Sequence, residues 1–345
     1  MSILSKPISR RSLALLAGLG FAATTAFAAQ AADKTITIAY QTGFSPWTLA
    51  VASGEIEKIP GWHVEFKRFN SGAEVFAAIV AGDAQIGEVG SSPFAAATSR
   101  GVDVKAIYIS GGAGEDEALV ARNGSGIQSL ADLRGKRLAA APVSTDHYML
   151  LSTLKEEGIK TTDATVLAIP QPQIVAGWER GDIDAAFVWD PALGTLIKSG
   201  KVLLTAKQAA ARGAVTFSAL VATGKLIQED PDFVTQFVRI VDKNYRDFAA
   251  NPGNWTVDSA NVKRLSQFTG AKPEDIAARL PVSTYIPAAD QVGPQWLGGG
   301  VDNNLAKVLK STADFLKEQK KITQVLPSYT AFVDPSFLQT AIASN

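Results

Sequence analysis

Short polar residues follow three predicted strands of this chain, at the points where predicted helices begin. The first junction is Gly90-Ser91-Ser92-Pro93, with Pro93 suited to the first helical position and Ser92 to the N-cap. A helix N-terminus offers free N–H groups and partial positive charge, so an oxyanion binds there without a full cation. Capping needs only one hydroxyl, so the second hydroxyl, that of Ser91, is the stronger indication of oxyanion binding. A purely capping role for Ser92 is the open alternative.

The second junction is Ser144-Thr145-Asp146-His147-Tyr148, which offers two hydroxyls and a second helix N-terminus. A plain N-cap, with Asp146 favourable in the first turn, is the competing interpretation. Ser, Asp and His within four residues do not indicate a hydrolase, because triad members are assembled in space and the sequence has no G-x-S-x-G elbow. The pattern therefore favours anion binding without catalysis.

The third junction, Trp189-Asp190-Pro191, combines an aromatic ring with a carboxylate. Asp190 is predicted as an N-cap, with Pro191 at the first helical position. An aromatic side chain at the edge of a cleft covers a small ligand and packs on a cation. A core position for Trp189 and a capping role alone for Asp190 are the open alternatives.

Composition excludes several other kinds of site. The 345 residues contain no cysteine, which rules out disulfides, cysteine nucleophiles, thiolate zinc sites and iron–sulfur ligation. The two histidines are too few for a multi-histidine metal site. The 33 basic and 33 acidic side chains balance, so capture of nucleic acid or of an anionic membrane is not the expected function. We expect no cofactor and no metal.

Residues 1–31 are predicted to be a cleaved signal peptide. Basic residues precede an apolar run at 13–23 that is too short to cross a bilayer, and A-x-A cleavage sites follow. Arg10 and Arg11 fit a Sec signal and a twin-arginine signal equally well. Removing the three basic residues of this segment leaves 30 basic and 33 acidic side chains, a net charge of −3. The expected product is a soluble, monomeric periplasmic protein.

Strand and helix patterns alternate along the rest of the chain, as in α/β domains. Strands are predicted at 35–40, 63–69, 84–89, 104–110, 118–121, 137–140, 164–169, 185–188 and 216–222. Helices are predicted at 71–81, 93–100, 146–157, 174–180, 231–250 and 303–319. This order indicates a chain that builds one lobe, crosses to build a second and returns. A ligand then belongs in the cleft between the lobes.

In their order and spacing, these segments resemble the periplasmic taurine-binding proteins. Those are the substrate-binding components of sulfonate ABC importers, within the nitrate/sulfonate/thiamine-precursor family. The resemblance rests on the three junctions and on the run from Trp178 to Asp184 that leads into the third. Further similar segments are Tyr40-Gln41-Thr42, Ser71-Gly72-Ala73, Glu117-Ala118-Leu119-Val120, Ala250-Asn251-Pro252 and Thr284-Tyr285.

The resemblance implies a type II periplasmic binding protein fold, two α/β lobes joined by a two-segment hinge. Lobe 1 is expected to comprise residues 32–115 and 220–345, and lobe 2 residues 116–219. The implied function is capture of taurine by hinge closure and delivery to an inner-membrane ABC permease with its ATPase, without chemistry on the ligand. The implied ligand-binding residues are Gln41, Ser91, Ser92, Glu117, Thr145, Trp189, Asp190 and Tyr285.

The resemblance also implies what these residues do. The hydroxyls of Ser91, Ser92 and Thr145 are expected to hold the sulfonate, together with the helix N-termini. Gln41 and Tyr285 are expected to add side-chain hydrogen bonds. The ring of Trp189 is expected to pack on the short carbon linker.

The sequence departs from the family pattern at the carboxylate that meets the ligand ammonium. The family has an acidic residue in the returning hinge strand, where this chain has Ser218, and a small residue where this chain has Asp190. Three alternatives stay open: the amine partner is Asp190, Glu117 serves alone, or the ligand is a non-aminated aliphatic sulfonate or another small anion. A sensor ligand domain, and an enzyme such as a hydrolase or a pyrimidine-precursor synthase, are the rivals from other classes.

Overall fold

The structure is a computed structural model that describes residues 33–343, and the predicted signal peptide lies outside this range. Ten strands occur in it: β1 (Lys34–Gln41), β2 (Trp62–Phe69), β3 (Ile86–Gly90), β4 (Val104–Gly112), β5 (Glu117–Arg122), β6 (Arg137–Ala140), β7 (Thr165–Ala168), β8 (Ala185–Trp189), β9 (Gly200–Thr205) and β10 (Phe217–Thr223). Within residues 33–343, no helix combines the length and the apolar character that crossing a membrane requires.

The described residues also form fourteen α-helices. They are α1 (Pro46–Ala52), α2 (Gly72–Ala81), α3 (Ser91–Thr98), α4 (Thr145–Glu156), α5 (Gln171–Arg180), α6 (Ala192–Leu196), α7 (Ala206–Ala211), α8 (Gly224–Glu229), α9 (Pro231–Ala250), α10 (Ala260–Thr269), α11 (Pro273–Arg279), α12 (Ala288–Gln291), α13 (Asn304–Glu318) and α14 (Ser336–Ala343).

The strands form two five-stranded sheets, ordered β2-β1-β3-β10-β4 and β7-β6-β8-β5-β9. In the first sheet, β1 is parallel to β2 and β3, and β10 runs antiparallel between β3 and β4. In the second, β6 is parallel to β7 and β8, whereas β5 is antiparallel to β8 and β9. The chain thus completes four strands of one sheet, builds the other, and returns through β10. The lobe boundaries at 115/116 and 219/220 stay a prediction.

Both sheets carry apolar side chains on their two faces. Successive side chains of a strand point to opposite sides, so a strand buried on both faces is apolar along its whole length. In β5, Leu119 packs into one apolar cluster and Val120 into another on the opposite face. The first sheet is covered in part by α9, whose Phe233, Phe237 and Val241 follow the spacing of one helix face and are fully buried.

The predicted elements are present, with bounds that differ by at most three residues, and α9 has the predicted bounds. Strand β9, the helices α1, α7, α8 and α14 and the short helices between residues 255 and 300 were not predicted. The helices α10, α11 and α12 have at most ten residues each, too few turns to establish a strong periodic pattern.

Gln291 covers the edge strand β4 of the first sheet. The side chain is fully buried, and its Oε1 accepts the N–H of Ile109 at 2.8 Å. Its Nε2 donates to the carbonyl oxygens of Ile109 at 3.1 Å and Ile286 at 2.9 Å. One amide thus satisfies backbone groups that the edge of the sheet leaves without a strand partner.

We expect Gln291→Leu to lower the free energy of unfolding by about 3 kcal/mol, because it leaves buried backbone groups without hydrogen bonds. Urea denaturation measures this loss. The control is Gln128→Leu at an exposed position, which should change stability by about 0.5 kcal/mol or less. Equal urea midpoints for the two variants would contradict the proposed role of Gln291.

Candidate functional site

A cavity of about 110 Å³ lies at the carboxyl ends of β1, β3 and β8 and is lined by residues from both sheets. Binding sites of open α/β sheets lie at this end of the strands. Six of the eight residues predicted to bind ligand line the cavity: Gln41, Glu117, Thr145, Trp189, Asp190 and Tyr285. These six residues therefore share one cavity, and their role in ligand binding stays a prediction.

Ser91 and Ser92 are not among the residues that line the cavity. Their side chains are fully buried, and neither hydroxyl has a hydrogen-bond partner among the described residues. The predicted cap at Ser92 is wrong: α3 begins at Ser91, with Gly90 as N-cap and no side-chain cap. Pro93 is tolerated at the third helical position because the first-turn N–H groups have no intrahelical acceptor. The start of α3 consequently reaches the cavity through Gly90 and Pro93.

The N-terminus of α4 is capped by Ser144, as the competing interpretation of this junction expects. Oγ of Ser144 accepts the N–H of His147 at 3.1 Å and donates to the carbonyl of Ala141 at 2.7 Å. The imidazole Nδ1 of His147 accepts the N–H of Val143 at 3.1 Å, and burial lowers the pKa of His147 to about 4. Serine and histidine are therefore each engaged with backbone groups rather than with one another, unlike the pair of a hydrolase.

The starts of α3 and α4 meet directly. A Cβ atom built on Gly90 would lie 2.7 Å from Cγ2 of Thr145, closer than real atoms approach. Only glycine at position 90 leaves room for Thr145, the first residue of α4. Two helix N-termini, each with partial positive charge and free N–H groups, thus face the same point of the cavity.

Trp189 and Asp190 connect the second sheet to residues beside the first. The indole Nε1 of Trp189 donates to the carbonyl of Thr42 at 3.0 Å. Oδ2 of Asp190 pairs with Nε of Arg279 at 2.8 Å, and Oδ1 accepts the N–H of Gly194 at 3.0 Å. The predicted helix start is wrong by one residue, since α6 begins at Ala192 with Pro191 as N-cap. Asp190 nevertheless accepts a first-turn N–H.

Gln41 and Tyr285 lie on the side of the cavity formed by the first sheet. Nε2 of Gln41 donates to the backbone carbonyl of Glu88 at 2.9 Å. The ring of Tyr285 packs edge-on against Tyr245 and Phe248 at 5.4 and 5.2 Å between centroids. Burial raises the pKa of Tyr285, so its hydroxyl stays protonated, and it donates to the carbonyl of Leu280 at 3.5 Å.

Four carboxylates line the cavity against a single guanidinium. They are Glu88, Asp116, Glu117 and Asp190, and Arg279 is the one lysine or arginine among the lining residues. Sequence reasoning missed Glu88, Asp116 and Arg279. Glu88 had a signal, because it is the lone charged residue of a short apolar strand, two positions before Gly90. Arg279 had none, since it comes from α11, far along the chain.

These carboxylates hold protons more tightly than usual. Burial raises the pKa of Glu88 to about 7, and the nearby polar groups of Gln41, Trp47 and Ser110 oppose the shift only in part. Burial likewise raises the pKa of Asp116 to about 6. Burial, together with the charge of Asp116, raises the pKa of Glu117.

Glu117 also faces a second buried acid, Asp146 in α4. Oε1 of Glu117 accepts the hydroxyl of Thr145 at 3.4 Å, and Oε2 is fully buried without a partner. Burial and the charge of Glu117 raise the pKa of Asp146 well above its ordinary value. Across residues 33–343, no group of three or more His, Asp or Glu side chains is arranged to hold a metal ion.

These shifts predict that the ligand-free protein loses stability as the pH rises from about 6.5 to about 8.5. The folded state keeps protons on Glu88, Glu117 and Asp146 that the unfolded chain has already released, so deprotonation costs folding free energy. His147 titrates below this window in the folded state. Urea unfolding at several pH values measures the slope, which Glu88→Gln and Glu117→Gln should each reduce. Stability that rises across the window would contradict the assignment.

Comparison with known proteins identifies the family. Residues 59–254, more than half of the chain, match the family described as NMT1/THI5 like. The chain is 36% identical over 325 residues to the taurine-binding periplasmic protein of Escherichia coli (strain K12), covering 94% of this chain and 98% of that protein.

Solved structures share the fold. The alkanesulfonate-binding protein SsuA from Xanthomonas axonopodis pv. citri matches with a TM-score of 0.68 at 21% identity, over 90% of this chain and 98% of that one. The desulfurization enzyme DSZB matches with a TM-score of 0.58 at 13% identity, over 90% and 99%. The predicted type II periplasmic binding protein fold is confirmed, and fold alone does not separate binding proteins from enzymes. Because the family match covers more than half of the chain and a relative is 36% identical over 94% of it, this chain belongs to the NMT1/THI5-like family.

Proposed function

We propose that this protein is the periplasmic substrate-binding component of an ABC importer and that it captures taurine. The observation that carries the proposal is a cavity in which two helix N-termini meet beside carboxylates. Taurine is a zwitterion with a sulfonate and an ammonium, so it matches both halves of this arrangement. The 36% identity to a taurine-binding periplasmic protein over nearly its whole length supports the same ligand.

The sulfonate binds where α3 and α4 begin. Free N–H groups of both helices and the hydroxyl of Thr145 supply hydrogen bonds to its oxygens. Ser91 and Ser92 contribute through the start of α3, which carries their backbone N–H groups at the first two helical positions. Gln41 and Tyr285 add donors from the first sheet. This arrangement binds an anion without a basic patch, in agreement with the net charge of −3 expected for the mature chain.

The carbon linker and the ammonium occupy the rest of the cavity. Trp189 packs on the linker, and Glu117 and Asp190 lie on the acidic side that attracts the ammonium. Because Arg279 already pairs with Asp190, the net attraction of Asp190 for a cation is reduced.

Ligand capture proceeds by closure of the two lobes, with residues 32–115 and 220–345 on one side and 116–219 on the other. The pairs Trp189–Thr42 and Asp190–Arg279 join the two sides next to the cavity. Both form only when the lobes are together, so a ligand that contacts both sides shifts the population toward the closed form. A permease and its ATPase in the inner membrane then receive the ligand, and the protein performs no chemistry on it.

Residues 1–31 direct export as a cleaved signal peptide, and the protein acts as a monomer without cofactor. A sensor ligand domain would use the same cavity, and a permease or a receptor as the binding partner distinguishes the two. No observation on the cavity favours the sensor.

Thermal denaturation with ligands tests the proposed function. Taurine at about 100 times its dissociation constant should stabilise the folded protein by about 2.7 kcal/mol and raise its Tm accordingly. Ethanesulfonate, which lacks the ammonium, should stabilise it less at equal concentration, and sulfate and nitrate should have little effect. An unchanged Tm in millimolar taurine, with a shift in another small anion, would rule out the taurine assignment.

The contact between Thr145 and the sulfonate gives a separate prediction. Thr145→Ala removes one hydroxyl donor to a charged group, so taurine and ethanesulfonate should both bind about tenfold more weakly. Calorimetric titration measures both constants. Thr162→Ala, at an exposed site, is the matched control and should leave both unchanged. A loss confined to taurine would place Thr145 at the ammonium instead.

A further inference from the structure

Glu88 is a carboxylate without a cationic partner in the cleft. It lines the cavity from the middle of β3, and Oε1 accepts the hydroxyl of Ser110 at 3.4 Å. The phenols of Tyr245 and Tyr285 lie close enough to feel its charge, and burial keeps both of them protonated. No ion pair among residues 33–343 includes Glu88. Its neighbours therefore solvate the carboxylate in part but do not neutralise it.

The other three lining carboxylates are less available to a ligand. Arg279 neutralises Asp190 and lies close enough to Asp116 to attract it. Oδ1 of Asp116 and Oε2 of Glu117 are fully buried. Glu117 also shares its surroundings with the buried acid Asp146, and two such groups do not both ionise at neutral pH. Glu88 is thus the lining carboxylate with neither a guanidinium nor a second acid against it.

Glu88 lies at the right separation from the sulfonate site. Gly90, at the start of α3, follows two residues later on the same strand, about 6.6 Å along an extended chain. Side chains two apart on a strand point to the same face, so the Glu88 carboxylate and the Thr145 side chain that packs on Gly90 lie on one side of the sheet. A two-carbon linker between sulfonate and ammonium suits this separation between Glu88 and Gly90.

We infer that Glu88 accepts the ligand ammonium and sets the preference of this protein for short aminosulfonates over sulfonates without an amine. The inference rests on the proposed function and adds to it the residue that binds the ligand ammonium. Longer linkers would carry the ammonium past Glu88, so 3-aminopropanesulfonate binds more weakly than taurine.

Position 218 allows the carboxylate charge of Glu88 to be placed on a neighbouring strand while the rest of the cavity is kept. In the antiparallel pair of β10 and β3, Ser218 is opposite Gly90 and Leu220 is opposite Glu88. Ser218 is therefore the diagonal neighbour of Glu88 on the same face of the sheet, and it also lines the cavity. An aspartate at position 218 would point a carboxylate into the same region.

Calorimetric titrations of taurine and ethanesulfonate at pH 8 test the inference. In the wild-type protein taurine should bind at least tenfold more tightly. Glu88→Gln, which keeps the shape and removes the charge, should weaken taurine about 10- to 100-fold and leave ethanesulfonate within about threefold. Adding Ser218→Asp to Glu88→Gln should restore the taurine preference at least in part. Glu179→Gln, at an exposed position of α5 outside the cavity, is the matched control and should keep the wild-type ratio.

The outcomes separate the two proposals. If the wild-type protein does not bind taurine, the proposed function fails, whatever Glu88 does. If it prefers taurine and Glu88→Gln keeps that preference, or loses both ligands equally, the role of Glu88 is wrong and the proposed function stands. If Glu88→Gln does not fold, Glu88→Asp replaces it. This variant withdraws the carboxylate by one methylene and should weaken taurine more than ethanesulfonate, and an equal effect on both would overturn the inference.

Discussion

Two helix N-termini reach one point of this protein because Gly90 has no side chain. The Cγ2 methyl of Thr145, at the start of α4, lies 2.7 Å from the position that a Cβ atom of residue 90 would take, and this contact brings together residues that follow strands of two different sheets. An oxyanion is thereby offered backbone N–H groups and helix dipoles from two sides. The other features of the site follow from this contact, since they surround the space that the two helices leave between them.

The acidic lining is the electrostatic counterpart of that anion site. Four carboxylates around one guanidinium are costly to ionise in a partly buried space, and the raised pKa values of Glu88, Asp116 and Glu117 express that cost. A ligand ammonium lowers the cost for the carboxylate that it contacts. Ligand-free folding and ligand selectivity thus draw on the same charges, so removing a carboxylate should stabilise the empty protein and reduce its preference for an amine.

Sequence patterns predicted the local features of the fold and of the site. The strand-to-helix junctions were found because glycine, serine and proline mark helix starts, and six of the eight predicted ligand-binding residues line one cavity. The cap at Ser92 was wrong because a proline is tolerated anywhere in the first turn, so its position did not fix the helix start. Arg279 was beyond prediction, because its pairing with Asp190 joins residues 89 positions apart that only the folded chain brings together.

A crystal structure of the complex with taurine tests the account most directly. We predict the sulfonate oxygens within about 3 Å of N–H groups at the starts of α3 and α4, and the ammonium within about 3 Å of a carboxylate oxygen of Glu88. Taurine bound in the reverse direction, with its sulfonate away from Gly90 and Thr145, or bound outside this cavity, would contradict the account.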